Sequence, residues 1–247
     1  MNPDTQIIAG NWKMNLTLSQ GREFLAELTK LLRQSPIRRR LLLAPNFTLL
    51  AELSSGCREL GVSLVAQNCA SQPAGAFTGE TSTAMLRDVG VEYVIVGHSE
   101  RRRLFGEDDG ALGDKARAVV ESELTPIFCV GETLQERQAG EALRVVLRQL
   151  DRGLRDFPAE RLLVAYEPVW AIGTGETATP DDARQMHAEI RNFLLKRFAF
   201  GGEIPILYGG SAKPDNAAAL LAQPEIGGLL VGGASLDADS FLRIARA

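Results

Sequence analysis

Tyr166–Thr177 reads Tyr-Glu-Pro-Val-Trp-Ala-Ile-Gly-Thr-Gly-Glu-Thr, and it follows the apolar run Leu162–Ala165. A run of that length and composition is expected of a strand buried on both faces. Glu167 therefore stands where a strand ends, and Pro168 forces the residue before it toward an extended backbone. The next residues carry one large apolar side chain, Trp170, and two glycines, Gly173 and Gly175. Those features describe a loop with a stiff entry, an apolar body able to pack over a cavity, and a flexible exit. A helix start follows, with Thr179 as N-cap, Pro180 at the first helical position, and Asp181 and Asp182 in the first turn. The stretch is a strand–loop–helix unit with a carboxylate at the strand's mouth. The competing reading is a solvated Glu before an ordinary long loop, and the rest of the chain decides between them.

The same unit recurs. Strands are expected at Gln6–Ala9, Leu41–Ala44, Ser63–Ala66, Tyr93–Val96, Pro126–Val130, Leu162–Ala165, Ile204–Tyr208 and Gly228–Val231. Helical patterns separate them. Thr17 with Gln20 forms a capping box before a stripe of Phe24, Leu25, Leu28, Leu31 and Leu32. Leu143, Leu147, Leu150 and Leu154 make another stripe after the box Thr133-x-x-Glu136, and Ala183, Met186, Ile190, Phe193 and Leu194 a third. Strands that are apolar on both faces and alternate with helices argue for a parallel sheet buried between layers. No low-complexity tract or linker interrupts the 247 residues. Eight such units most simply close into a (β/α)8 barrel, which uses ~250 residues as one domain, here 1–247; an open doubly wound sheet is the fallback.

Composition bounds the function. The chain is 45% hydrophobic and 23% charged with a net charge of -4, which argues against a nucleic-acid footprint. Arg38-Arg39-Arg40 and Arg101-Arg102-Arg103 are short basic triplets, read as ion-pair partners or solvated faces. No apolar run reaches the ~20 residues that span a bilayer, and no signal peptide is recognisable. The cysteines, Cys57, Cys69 and Cys129, are odd in number and widely spaced, as free thiols of a reducing cytosol are. With only His98 and His187, a histidine-built metal site is not expected.

In a barrel of this kind, chemistry belongs at the carboxyl ends of the strands. Strand one ends in Gly10-Asn11-Trp12-Lys13, and alternation sends Asn11 and Lys13 toward the same mouth. Strand four ends in Gly97-His98-Ser99-Glu100; a Ser able to cap the next turn, and a helix N-terminus beside the imidazole, favour neutral His98 as a hydrogen-bond donor. Strand five ends in Cys129-Val130-Gly131-Glu132, with Cys129 read as packing rather than nucleophile. Strands seven and eight end in Gly209-Gly210-Ser211 and Gly232-Gly233-Ala234. Paired glycines there let backbone N–H groups converge on a phosphate at helix N-termini. The segment 67–81 is too long for an idle loop, and Phe77 between small residues reads as an arm that inserts into a partner.

Six motifs in order carry a resemblance: Gly10-Asn11-Trp12-Lys13-Met14-Asn15, Gly75-Ala76-Phe77-Thr78-Gly79-Glu80, Gly97-His98-Ser99-Glu100-Arg101-Arg102, Tyr166–Gly175, Tyr208-Gly209-Gly210-Ser211 and Val231-Gly232-Gly233-Ala234. Over essentially its whole length the chain resembles the triosephosphate isomerase family. The resemblance implies interconversion of dihydroxyacetone phosphate and glyceraldehyde 3-phosphate with no cofactor and no metal. It implies Glu167 as the base, His98 as the neutral electrophile, Asn11 and Lys13 at the oxyanion, and Glu100 supporting Lys13. The backbone N–H groups of Gly173, Ser211, Gly232 and Gly233 would hold the phosphate. It also implies a homodimer in the cytoplasm, with Phe77 and Thr78 reaching the partner's first loop.

The chain departs from the family's pattern at Glu176 in the lid's exit, where Lys is common, and at Arg103-Leu104, where an aromatic is usual. Two rival readings remain at this stage. Lys13 as a Schiff-base nucleophile would make the chain an aldolase or lyase. A barrel without catalysis would make it a scaffold, against which stands the joint presence of Asn11, Lys13, His98 and Glu167.

Overall fold

The computed structural model describes residues 5–158, 161–172 and 178–247. Eight parallel strands close into a barrel in chain order, so the doubly wound alternative is excluded. They are β1 (Ile7–Asn11), β2 (Arg40–Ala44), β3 (Ser63–Ala66), β4 (Val91–Val96), β5 (Thr125–Val130), β6 (Leu163–Tyr166), β7 (Ile206–Tyr208) and β8 (Gly228–Val231). β1 closes the ring on β8 with Ile7 opposite Gly228 and Gly10 opposite Val231. Around the barrel run α1 (Leu18–Gln34), α2 (Leu50–Glu59), α3 (Thr83–Asp88), α4 (Ser99–Phe105), α5 (Asp109–Glu121), α6 (Leu134–Gln138), α7 (Ala142–Gly153), α8 (Pro180–Arg197), α9 (Ala217–Leu221) and α10 (Ala238–Arg246).

Strand alternation sorts the core into two layers. Ile7, Ala9, Ile95, Ile127, Leu163 and Ala165 point inward and fill the barrel. Their neighbours Ile8, Val94, Val96, Phe128, Val164 and Tyr166 point outward, under the helices. Both layers are apolar, which is why the strands read as unbroken hydrophobic runs. Along β6 the inward positions are Leu163 and Ala165, so Glu167 is the next one. Along β1 they are Ile7 and Ala9, so the next is Asn11.

Six of the eight strands differ from expectation by one or two residues at an edge, and β3 and β8 match it. β1 runs on to Asn11, which pairs with Ala44, and β6 runs through Tyr166. β7 starts at Ile206 rather than Ile204 because Pro205 has no N–H for the ladder; only its carbonyl is used, by Val164 N–H at 3.1 Å. The capping box on Thr17 forms as expected, and Thr179 caps α8 as expected, with Asp182 completing a box there as well. The box on Thr133 does not start the long helix but caps the separate, shorter α6. α7 buries Val145, Val146, Gln149, Leu150 and Gly153, while Leu143 is exposed. Of the expected stripe, Leu150 and Leu154 are buried and Leu147 packs against the core, so the face holds in all but Leu143.

Arg101 pairs with Glu107 at 2.8 Å and Arg102 with Asp109 at 2.6 Å, so these members of the triplet are ion-pair partners. The three cysteines are buried and free. No helix among the described residues is long and apolar enough to cross a membrane.

Candidate active site

Asn11 and Lys13 at the end of β1, His98 after β4 and Glu167 after β6 line one cavity of about 250 Å³ together with Gly209–Ser211 and Gly232–Gly233. Glu100 does not line it, and acts on it through Lys13. Phe77 and Thr78 are exposed and lie outside it. Gly173 and Glu176 fall outside the described residues.

Glu167 is only 1% exposed. One carboxylate oxygen, Oε1, lies 2.9 Å from His98 Nε2, and the other accepts the Ser99 backbone N–H at 2.8 Å. Burial works to raise its pKa. The charge and hydrogen bond of His98, the Ser99 amide and the charge of Lys13 outweigh burial and hold the carboxyl below its usual range. The Glu167 backbone is equally constrained. Its N–H donates to Val130 O at 2.7 Å, and a methyl group on Gly209 would come within 2.9 Å of its Cγ.

His98 is itself the N-cap of α4. Its Nδ1 accepts the Glu100 N–H at 3.2 Å, a bond that a protonated ring cannot accept, so its proton sits on Nε2 and points at Glu167. Burial presses the ring toward neutrality, but the adjoining Glu167 carboxylate reverses this and lifts its pKa above the ordinary value. Both shifts belong to the paired state. Separate the pair, and burial with the helix N-terminus is left to favour the neutral imidazole that the sequence suggests. Ser99, expected to cap the turn with its side chain, instead offers its backbone N–H to Glu167 because His98 already occupies the cap.

Lys13 reaches the cavity by a route that strand alternation does not describe. β1 ends at Asn11, and Lys13 adopts a left-handed backbone with φ 52°. Its N–H donates to Asn11 Oδ1 at 3.0 Å and its carbonyl accepts from Gln67 Nε2 at 2.9 Å, which locks the turn. Its Nζ is 2.5 Å from Glu100 Oε1. Buried Trp12 donates from Nε1 to Ser235 O at 3.1 Å, tying this turn to the chain after β8.

The glycine-lined end differs from expectation in its helices. After β8 comes a single 3-10 turn, Gly233–Ser235, and after β7 the next helix starts only at Ala217, so Ser211 is not at a helix N-terminus. The backbone there is nonetheless bare. A methyl group on Gly233 would meet nothing within 4 Å, and one on Gly232 only Lys13 Cε at 3.7 Å. Gly232 has φ -85° and ψ -118°, a conformation that side-chain-bearing residues avoid, whereas no contact within the protein explains Gly233; both leave their backbone open to the cavity.

Several site residues carried no clear signal in the sequence. Glu132 is fully buried, where its Oε1 accepts Trp170 Nε1–H at 2.8 Å and Tyr166 O–H at 3.1 Å. Arg137 stacks over the Trp170 ring at 4.4 Å. Together these hold the entry of the lid-like segment. Their one trace in the sequence is an acidic residue two positions after a buried strand. Lys213 and Ile172 line the cavity. Cys129 is fully buried and its thiol pKa pushed far up, first by burial and then by the nearby Glu167 charge, which removes it as a nucleophile. His187 lies outside the cavity, with burial lowering its pKa to about 4, and is a neutral core residue.

The family model described as triosephosphate isomerase matches residues 6–247. A triosephosphate isomerase of Symbiobacterium thermophilum is 50% identical, over 98% of this chain and 96% of that protein. One from a Roseiflexus species is 50% identical over 97% and 96%, and one from Thermus thermophilus 47% identical over 97% of each. By its barrel, its strand-end residues and these relatives, the chain belongs to the triosephosphate isomerase family.

Proposed function

We propose that the chain, acting over residues 1–247 as one catalytic domain, interconverts dihydroxyacetone phosphate and glyceraldehyde 3-phosphate. The reaction moves protons between neighbouring carbons and oxygens and needs no cofactor. The observation that carries this reading is the contact between Glu167 and neutral His98 on the wall of a cavity whose far end is bare glycine backbone.

The geometry supports a sequence of roles. Both Glu167 oxygens are occupied at rest. A substrate carbonyl placed in the cavity competes for the His98 Nε2–H and takes over that bond. His98 then polarises the carbonyl as a neutral donor. Glu167, freed of the His98 hydrogen bond, the strongest hydrogen bond holding its pKa down, becomes a stronger base inside a buried site. It removes the proton from the carbon beside the carbonyl, His98 moves the hydroxyl proton from one enediolate oxygen to the other, and Glu167 returns its proton to the neighbouring carbon. Asn11 and Lys13 stabilise the enediolate oxygen, with Lys13 also facing the phosphate, and Glu100 aims Lys13. Ser211, Gly232, Gly233 and Gly173 hold the phosphate by backbone N–H groups. A lid that excludes water protects the enediolate from losing its phosphate.

The Schiff-base alternative asks Lys13 for a free lone pair, but its ammonium is ion-paired with Glu100. Supplied with dihydroxyacetone phosphate, the purified chain should form glyceraldehyde 3-phosphate; no conversion above the spontaneous rate contradicts the assignment.

The working unit is a cytoplasmic homodimer. Phe77 is 45% exposed on the 67–81 arm. Beside the active site lies a groove of about 460 Å³, lined by Met14, Phe47, Leu104 and Phe105 as well as Lys13 and Glu100. Met14, Leu104 and Phe105 are 95%, 64% and 66% exposed. An apolar arm and an apolar groove on one molecule suit reciprocal exchange about a two-fold axis. In this reading the partner's Thr78 approaches Asn11 and Lys13. Replacing Phe77 and Thr78 by Glu shifts the species in sizing experiments to half mass and lowers activity, because the groove shares residues with the cavity. An unchanged mass for that variant removes the arm from the interface.

A further inference from the structure

Gln149 is 6% exposed on the core-facing side of α7, among Val145, Val146 and Leu150. A buried amide is costly unless all its groups are paired. Both ends of this one bind a single residue: Oε1 accepts Gly131 N–H at 2.8 Å, and Nε2 donates to Gly131 O at 3.1 Å.

Gly131 is where the base is supported. A methyl group on Gly131 would lie 1.7 Å from the Glu167 carbonyl oxygen and 3.3 Å from its Cα. The two backbones are therefore in contact with no side chain between them. On either side of Gly131 the chain continues the ladder to β6: Glu167 N–H donates to Val130 O at 2.7 Å, and Val169 N–H to Glu132 O at 3.1 Å. Alternation in a parallel strand turns the peptide groups of Gly131 the other way, toward β4. β4 has already ended at Val96, and His98 opens α4. The ladder partner that Gly131 would have had is gone, and Gln149 supplies the donor and the acceptor in its place.

We infer that Gln149 is a positioning residue for the isomerisation: its two hydrogen bonds to Gly131 fix the backbone against which Glu167 rests, and so set the reach of the carboxylate. The inference rests on Glu167 being the base. Gln149 touches no substrate and lies outside the cavity. Its loss therefore acts on the proton-transfer step and hardly on binding of the phosphate, which is held at the ends of β7 and β8. A displacement of about 1 Å at a reacting group costs up to ~10²-fold in rate.

The test is Gln149→Met, which keeps length and volume and removes both hydrogen bonds. Its kcat is expected to fall ~10- to 100-fold with KM within about threefold of the parent. Gln149→Glu keeps the shape and the acceptor but sets an oxygen against Gly131 O; it is expected to lose kcat in the same direction, and decides the matter if the Met variant does not fold. Leu150→Ala, one residue along the same buried helix face, is the control for loosened packing, and its kcat should stay within about twofold of the parent. Parental kcat in folded Gln149→Met or Gln149→Glu overturns the inference. So does an equal fall in kcat for Leu150→Ala, since packing alone would then account for the effect. Glu167→Gln measured alongside separates the two claims: if it keeps turnover the base assignment fails, and if it abolishes turnover while the Gln149 variants do not, only the positioning role fails.

Discussion

Glu167→Gln is expected to lower kcat by ~10³- to 10⁴-fold while KM changes only a few-fold, since positioned proton transfer contributes ~10²–10⁴-fold and this residue supplies both its outward and its return leg. The amide is isosteric and leaves the glycine-lined end untouched, so binding of the phosphate persists. Stability changes in a definite direction too. The carboxylate accepts from two donors at once, His98 Nε2–H and Ser99 N–H. An amide has one oxygen and one NH2 group, so one of these donors loses its acceptor in a fully buried place. His98 cannot switch tautomer to accommodate it, because its Nδ1 already accepts from Glu100 N–H. A buried donor left unpaired costs about 1–3 kcal/mol, readable as a lower midpoint in denaturant titration. Retained turnover in this variant removes Glu167 from the reaction. Glu167→Asp is the graded companion: it keeps the charge, withdraws the carboxylate by about 1 Å, and is expected to lose up to ~10²-fold.

Lys13→Met is expected to lower kcat/KM by at least ~10²- to 10³-fold, the loss that follows removal of one fixed donor aimed at an oxyanion, with a further rise in KM from the lost attraction to a dianion. Little of this is stability. Glu100, its partner, is 38% exposed and can turn to solvent, and a pair so placed contributes at most about 1 kcal/mol. A folded, stable and nearly inactive Met variant is thus the expected outcome. The parent enzyme, treated with borohydride in the presence of substrate, should form no adduct at Lys13. Activity within tenfold of the parent in the variant would show that Lys13 is not part of the charge-stabilising set. An adduct would return the Schiff-base reading to the front.

How much of this was legible in the sequence follows from what each feature depends on. The strands were readable because both barrel layers are apolar, and Pro168 and Pro180 marked the turn around Glu167. Asn11, Lys13, His98 and Glu167 were readable because each is a chemistry-bearing side chain at a strand end. The left-handed backbone of Lys13 was not, since nothing in a lysine announces a φ of 52° and Gln67 and Asn11 impose it from outside. The Ser99 contact to Glu167 is made by a backbone N–H, which every residue but proline carries. The leucine stripe on α7 was readable from its spacing, since Leu147, Leu150 and Leu154 all pack on the core; the break between α6 and α7 and the burial of Val145, Val146 and Gln149 beside the stripe were not. The support of Glu167 by Gly131 joins residues 36 positions apart through two backbones, and only the closed barrel brings them together.

The central claim is that a buried carboxylate exchanges a carbon-bound proton of a triose phosphate. It is tested most directly by incubating the enzyme with dihydroxyacetone phosphate in heavy water and following the substrate by NMR. The account predicts enzyme-dependent deuterium incorporation at the carbon beside the carbonyl, and almost none with Glu167→Gln. No deuterium incorporation with the parent enzyme would contradict it.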